Sequence, residues 1–342
     1  MKRRNYFLLT TMLCLSSIIL LMGLCTIGGA SLSLQEVISA FQYRYFDIGE
    51  KVKNHGAIVH LRFMRTLLAF LAGGSLSLSG TCMQAIFGNP LADPHILGIS
   101  AGSALGAAVA VIFSFSFTVF GFSAVSICAF ICGVITSICV LLIAKVNGRM
   151  GVTGLLLTGI AMGAFLSAML SGLLALNREN MEQVYMWTMG SFASTTQHEV
   201  FPMIVVLTSA FIILLCMAKD LNLLVLGEKE AVSLGANVKK IQLTVLIIST
   251  FLTATTVSVS GTIGFVGLII PHISRKIVGP NHLRLLPLCV LIGGIFMMLV
   301  DTVARSTLAV EIPIGVITSL LGGPFFLFML RKRKNKKRRC VQ

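Results

Sequence analysis

The chain has 342 residues, of which 56% are hydrophobic and only 11% charged, less than half the roughly 25% charged found in soluble domains. A soluble globular protein is excluded. The few charges are also gathered, so that the intervals from Asp93 to Lys145, Arg149 to Arg178 and Lys240 to Arg275 hold none between their ends, and such gaps read as membrane spans.

In chain order, a basic head from Met1 to Arg4 precedes an apolar run from Tyr6 to Ile27. That run outlasts the apolar region of about 7 to 15 residues in a cleaved leader, so it is assigned as the first span. Residues 94–144, drawn as one helix, would reach about 77 Å, more than twice a hydrocarbon core of about 30 Å, and must hold two spans. Allowing about 20 apolar residues per span predicts ten, centred near Leu15, Gly74, Gly102, Cys132, Gly163, Thr208, Ser249, Leu268, Ile292 and Ser319. An even number puts both termini on one side of the membrane.

The basic residues choose that side. With both termini cytoplasmic, the inner face takes most of the 27 Lys and Arg: the head, Lys145 and Arg149, the bases within 219–240 and 275–284, and the tail. This satisfies the positive-inside rule, with one exception in the first outer loop, which holds Arg44, Lys51, Lys53, Arg62 and Arg65. The tail Arg331 to Arg339 follows a span directly. Bases so placed are attracted to anionic inner-leaflet lipid by on the order of 1 kcal/mol each, which makes lipid, and not nucleic acid, the expected partner.

Little in the chain suggests covalent chemistry. Cys128, Cys132 and Cys139 share a helical face without an accompanying His or carboxylate, so they read as small packing residues and not as a metal site. No G-x-x-x-x-G-K-[ST] phosphate loop occurs, so ATP, if used, is bound elsewhere. Asp93, Asp220 and Asp301 fall at span ends, whereas ion coupling usually leaves carboxylates at mid-membrane. Because sodium can be held by carbonyls and hydroxyls, an ion-coupled secondary transporter stays as an alternative. So does an intramembrane serine hydrolase, since Gly98-Ile99-Ser100-Ala101-Gly102 matches G-x-S-x-G with His95 or His272 as a base. That motif needs a preceding strand, and Gly98, Gly102 and Gly106 more simply let helices approach closely.

The chain also repeats itself. Ser77-Leu78-Ser79-Gly80-Thr81 returns as Ser258-Val259-Ser260-Gly261-Thr262, and Pro-His-Ile follows each copy at Pro94 and Pro271. Five spans separate the copies, so the repeat is inverted, a common transporter design. Between Leu221 and Lys240, Gly227-Glu228-Lys229-Glu230-Ala231-Val232-Ser233-Leu234-Gly235 carries acids first, apolar Ala231 and Leu234 three apart, and a glycine where a helix ends. This predicts a short cytoplasmic helix suited to docking a partner.

Four stretches together resemble the permeases of iron-siderophore and cobalamin ABC importers (FecCD type). They are Arg62-Phe63-Met64-Arg65-Thr66-Leu67 running into Gly80-Thr81-Cys82-Met83-Gln84; Asn89-Pro90-Leu91-Ala92-Asp93-Pro94; Gly261 to His272; and Asp301-Thr302-Val303-Ala304-Arg305 with Pro313-Ile314-Gly315-Val316 and Gly323-Pro324-Phe325-Phe326. The resemblance covers nearly the whole chain and implies one all-α polytopic permease domain, residues 1–342, with a coupling loop at 219–240 and a basic tail at 331–342. It implies a homo- or heterodimer of permeases around a central path, ATPase subunits below that hold ATP and magnesium, and an extracytoplasmic binding protein above. The chain itself would hold no cofactor, metal or catalytic residue.

Carried over by position, the resemblance gives Arg62, Arg65 and Arg305 the docking of acidic residues on the binding protein, which would explain the charge exception. Gly227, Glu228, Ala231, Leu234 and Gly235 match the element coupled to the ATPase. Gln84, Asn89, Pro90, Gly264, Pro271, His272 and Pro324 are gate or path candidates, with Gly159 and Gly163 in a span beside the path. Met64 stands where many members have Pro. The implied cargo is an iron chelate (siderophore or haem) or cobalamin, moved across the cytoplasmic membrane.

Overall fold

A computed structural model describes residues 3–29, 32–46, 55–146, 149–308 and 310–339. Within them the chain is helical, apart from two very short β-ribbons and the connections. The helices are α1 (Arg3–Gly23), α2 (Leu34–Phe46), α3 (His55–Ile86), α4 (Ile99–Ile112), α5 (Ala124–Ala144), α6 (Val152–Leu176), α7 (Met181–Thr188), α8 (Gln197–Cys216), α9 (Ala218–Leu226), α10 (Glu228–Ser233), α11 (Val238–Ser260), α12 (Val266–Val278), α13 (His282–Ser306) and α14 (Ile314–Arg339). Seven of these, α1, α3, α5, α6, α8, α11 and α13, are long and apolar enough to cross a membrane. Each of the ten predicted span centres falls within a helix, the other three being α4, α12 and α14.

Helix α3 is the centre of the bundle. Its most apolar window is 89% buried, against 6% for α6, so α3 is wrapped by other helices while α6 shows its apolar side chains to whatever surrounds the molecule. Small residues make this possible. A Cβ at Gly73 would lie 2.1 Å from the Gly293 carbonyl of α13, and one at Gly102 or Gly106 would collide with Thr136 or the Cys128 carbonyl of α5. Close backbone approach through glycine is how membrane helices gain packing without a hydrophobic driving force. Hydroxyls add to it, Ser79 bonding Thr253 on α11 and Ser137 of α5 bonding Thr250.

Helices α4 and α12 are short, near 20 Å each at 1.5 Å per residue, and each follows a non-helical stretch. Before α4 a 3-10 turn, Pro94–Leu97, is capped by the Asp93 carboxylate and closed by Gly98 in the left-handed region. Before α12 the chain descends through residues 261–265, with Phe265 at φ 69°. Irregular backbone survives at membrane depth only where protein covers it or a cavity borders it. Both conditions hold: the His95 ring bonds the Ile263 carbonyl at 2.9 Å, and the Thr262 hydroxyl donates to the Thr188 carbonyl.

The two sequence copies do not share local structure. Ser77 to Thr81 lies inside α3, whereas Ser258 to Thr262 straddles the end of α11; Pro94 opens a 3-10 turn, whereas Pro271 sits within α12. What the halves share is an order of elements: a long helix, a break, then a short helix. Helices α2, α7 and α9 are further additions to the ten predicted spans. For α2 a signal existed, because Ser33 and Glu36 form a reciprocal capping box, the Ser33 amide donating to the carboxylate and the Glu36 amide to the hydroxyl.

Candidate functional site

Between α4, α12 and α14 lies a cleft of about 970 Å³, lined by His95, Ser100, Thr262, Phe265, Gly315 and Ser319 among others. Its wall is mostly apolar, with hydroxyls and the half-buried Asp93 and His95 as polar points. Gly264 lies on this wall. Gln84 does not: it is buried, its amide reaching the Gly267 and Leu268 carbonyls while its oxygen accepts from Arg275 at 3.0 Å, so it ties α3 to α12. Asn89 shapes its own turn by accepting from the Leu91 amide, with Pro90 beside it. Pro271 is buried within α12, His272 packs edge-on against Phe325, and Pro324 faces outward from α14. Gly159 meets the Ile96 carbonyl, and Gly163 faces open space. Asp93, His95, Ser100 and Thr188 are lining residues for which the sequence carried no path signal.

Ser100 and His95 do meet, the hydroxyl on Nδ1. The other ring nitrogen faces the Ile263 carbonyl, which only accepts, so Nε2 carries the proton and Nδ1 accepts from Ser100. Asp93 is 3.9 Å from Nε2 and spends its hydrogen bond on the turn. Ser100 sits on the first turn of α4 without a strand before it. The pair pins α4 to the 261–265 stretch.

At the opposite end of α3 the three arginines converge. Arg65 donates from Nε to the wholly buried Asp301 at 2.9 Å, and from both terminal nitrogens to Glu311 at 2.8 and 3.0 Å. Arg305, one turn beyond Asp301, approaches it at 3.5 Å and donates to the Leu24 carbonyl at 2.7 Å and to that of Ile27. Arg62 donates to the carbonyls of Cys25 and Thr26. These carbonyls belong to the 3-10 turn Leu24–Thr26 that follows α1 and to Ile27 beyond it, and the arginines add to the backbone bonds that Leu24 and Thr26 already accept from the Ile27 and Leu32 amides. Two of the bases that break the charge rule therefore have internal work, Arg62 on the carbonyls that follow α1 and Arg65 on Asp301, while Lys51 and Lys53 lie outside the described residues.

Between α9 and α11, α10 is flanked by two glycines with positive φ, Gly227 at 124° and Gly235 at 84°. The Ala236 amide bonds the Ala231 carbonyl and the Gly235 amide that of Val232, a Schellman closure. Ala231 is buried in the core, so it anchors α10 from below. The exposed apolar groups here are Val232 and Leu234, 59% and 61% exposed, continued by Val225 and Leu226 of α9. Glu228 stands exposed at the start of α10.

A long central helix, two broken short ones around a cleft, an ionic cluster at one end and an apolar protrusion at the other define a multi-pass membrane transport protein. The FecCD transport family matches residues 13–332, and the chain belongs to it. A cobalamin import system permease protein of Halobacterium salinarum is 40% identical over 80% of this chain and 73% of its own length. An iron chelatin transport system permease of Helicobacter pylori is 35% identical over 92% and 96%. An inward-facing metal-chelate type ABC transporter superposes with a TM-score of 0.81 at 35% identity, covering 96% of this chain and 99% of its own. The chain is a transmembrane permease subunit of an ABC importer and is not itself catalytic, which sets aside both the ion-coupled transporter and the serine hydrolase.

Proposed function

We propose that this permease carries an iron chelate (siderophore or haem) or cobalamin inward across the cytoplasmic membrane, with both termini cytoplasmic. The cleft between α4, α12 and α14 carries the reading. It is large for a small-molecule site, weakly polar, and open on one side, as half of a path would be when a second permease, identical or paralogous, supplies the other half. A wall of scattered hydroxyls on apolar surface passes a bulky chelate along without gripping it. Uptake of labelled iron chelates and of labelled cobalamin in a deletion strain tests this: one of them should fall to background and return with the cloned gene.

ATP and magnesium are assigned to a separate ATPase subunit, whose groove would take α10 and the end of α9. Movement of that subunit would then enter the bundle through Ala231, which packs in the core, and switch the path between two openings. Replacing Val232 and Leu234 together by Asp should cut co-purification of the ATPase at least tenfold, since a charged pair cannot fill an apolar groove; parental yield would remove the coupling assignment.

An extracytoplasmic binding protein is assigned to the arginine cluster, where Arg to carboxylate pairing is strong and oriented. Of the three, Arg62 is the one whose replacement spares Asp301. Arg62→Glu should weaken binding-protein affinity at least tenfold, measured on the permease–ATPase complex in nanodiscs, and unchanged affinity would refute the assignment.

A further inference from the structure

Four of the five N–H groups of Arg65 are engaged. Its Nε and Nη2 engage Asp301, and Nη1 and Nη2 form a two-pronged bond with Glu311. Both paired edges of the guanidinium are taken, so a third carboxylate can form a two-pronged pair with it only by displacing one of the two present. Asp301 is wholly buried and also faces Arg305, whereas the Glu311 side chain is 45% exposed. Glu311 is the one that can leave.

Its place in the chain gives that departure a consequence. Glu311 belongs to the non-helical link between α13 and α14, beside Val310, which is 74% exposed. The link is held by the Ile312 amide on the Ala304 carbonyl, and by the Ile314 and Gly315 amides on Gly190 and Met189 at the end of α7. Four residues beyond Glu311, α14 begins to line the cleft with Gly315, Val316 and Ser319. Glu311 also borders two outer pockets at once, one of about 200 Å³ with the three arginines and one of about 400 Å³ with Trp187, Gly261 and Pro313.

We propose that Glu311 is an internal stand-in for the carboxylate that the binding protein brings to Arg65, and that its displacement frees the link leading into the cleft-lining helix α14. This rests on the docking assignment of the preceding subsection. The ionic latch keeps the outer end of the path in its resting arrangement until docking supplies a competing acid, so that the same ion exchange both seats the partner and loosens the entrance.

Glu311→Gln leaves Arg65 paired with Asp301 while abolishing the competing charge. It should tighten binding of the cognate binding protein to the permease–ATPase complex by about two- to five-fold, the range open to a half-exposed ion pair. Glu311→Ala, which also removes the amide's own hydrogen bonds, should tighten it at least as much. Glu182→Gln removes the same charge from an exposed residue of α7 and should change nothing. Arg62→Glu, measured alongside, tests docking by itself: parental affinity there would overturn the docking assignment. Weakened docking by Arg62→Glu, with Glu311→Gln leaving affinity unchanged or lowered, or with Glu182→Gln tightening it equally, would overturn the latch alone.

Discussion

Arg65→Ala should lower the stability of the purified permease by about 3 to 5 kcal/mol, the range for removing one partner of a buried ion pair. The change strands Asp301, whose side chain has no exposed surface, with Arg305 at 3.5 Å as its remaining counter-charge. Thermal unfolding in detergent, followed by monodispersity on size exclusion, measures the loss. Two further variants separate its causes. Adding Asp301→Asn to Arg65→Ala removes the stranded charge and should return a large part of the stability, because most of the penalty is an uncompensated carboxylate and not a lost attraction. Glu311→Gln, which breaks only the exposed half of the network, should cost less than about 1 kcal/mol. Arg65→Lys should recover little, since an ammonium cannot reproduce the planar fork that reaches both acids at once.

The same cluster marks what the sequence could and could not disclose. That Arg62 and Arg65 break the charge rule was visible, and so was the place of Asp301 at a span end, but no role was expected of Asp301 and that of Arg305 came only from the family resemblance. Their meeting was not: Arg65 and Glu311 lie 246 residues apart, and no local pattern encodes a contact made across α3, α13 and the link before α14. The ten spans were legible because apolar length is a one-dimensional property. The shortness of α4 and α12 was not, because a stretch of extended backbone inside the membrane has the same composition as the helix it replaces, and only its tertiary covering by His95, Thr188 and Phe265 permits it. On α10 the glycines and the acid order gave the helix, yet the expectation that Ala231 and Leu234 act together failed at the level of facing. Ala231 turns into the core and Val232 joins Leu234 outside, since a helix of six residues is too short for periodicity to fix its orientation before the glycine breaks set its direction.

Gly80→Ala should abolish transport although it adds one methyl group. A Cβ at this position would stand 2.0 Å from the Gly267 carbonyl oxygen and 2.5 Å from its Cα, so the clash is with backbone and no side chain can rotate out of the way. Helix α12 has little freedom to retreat, because Gly267 is itself pressed between the Leu76 carbonyl and the Pro94 ring, and Gln84 of α3 holds α12 through both the Gly267 carbonyl and Arg275. Overpacking of this kind costs about 1 to 3 kcal/mol and shifts backbone. The shift here falls on the N-terminal turn of α12, which carries Phe265 and Leu268 on the cleft wall. The control is Gly172→Ala in α6, where a Cβ meets nothing within 4 Å; replacing glycine inside a helix there should leave stability at parental level or raise it by up to about 1 kcal/mol. Uptake normalised to the amount of permease in the membrane decides between a positional and a purely destabilising effect. At equal membrane levels Gly80→Ala should still fall to background while Gly172→Ala transports like the parent, because the cleft wall, and not the amount of folded protein, is what the added methyl displaces.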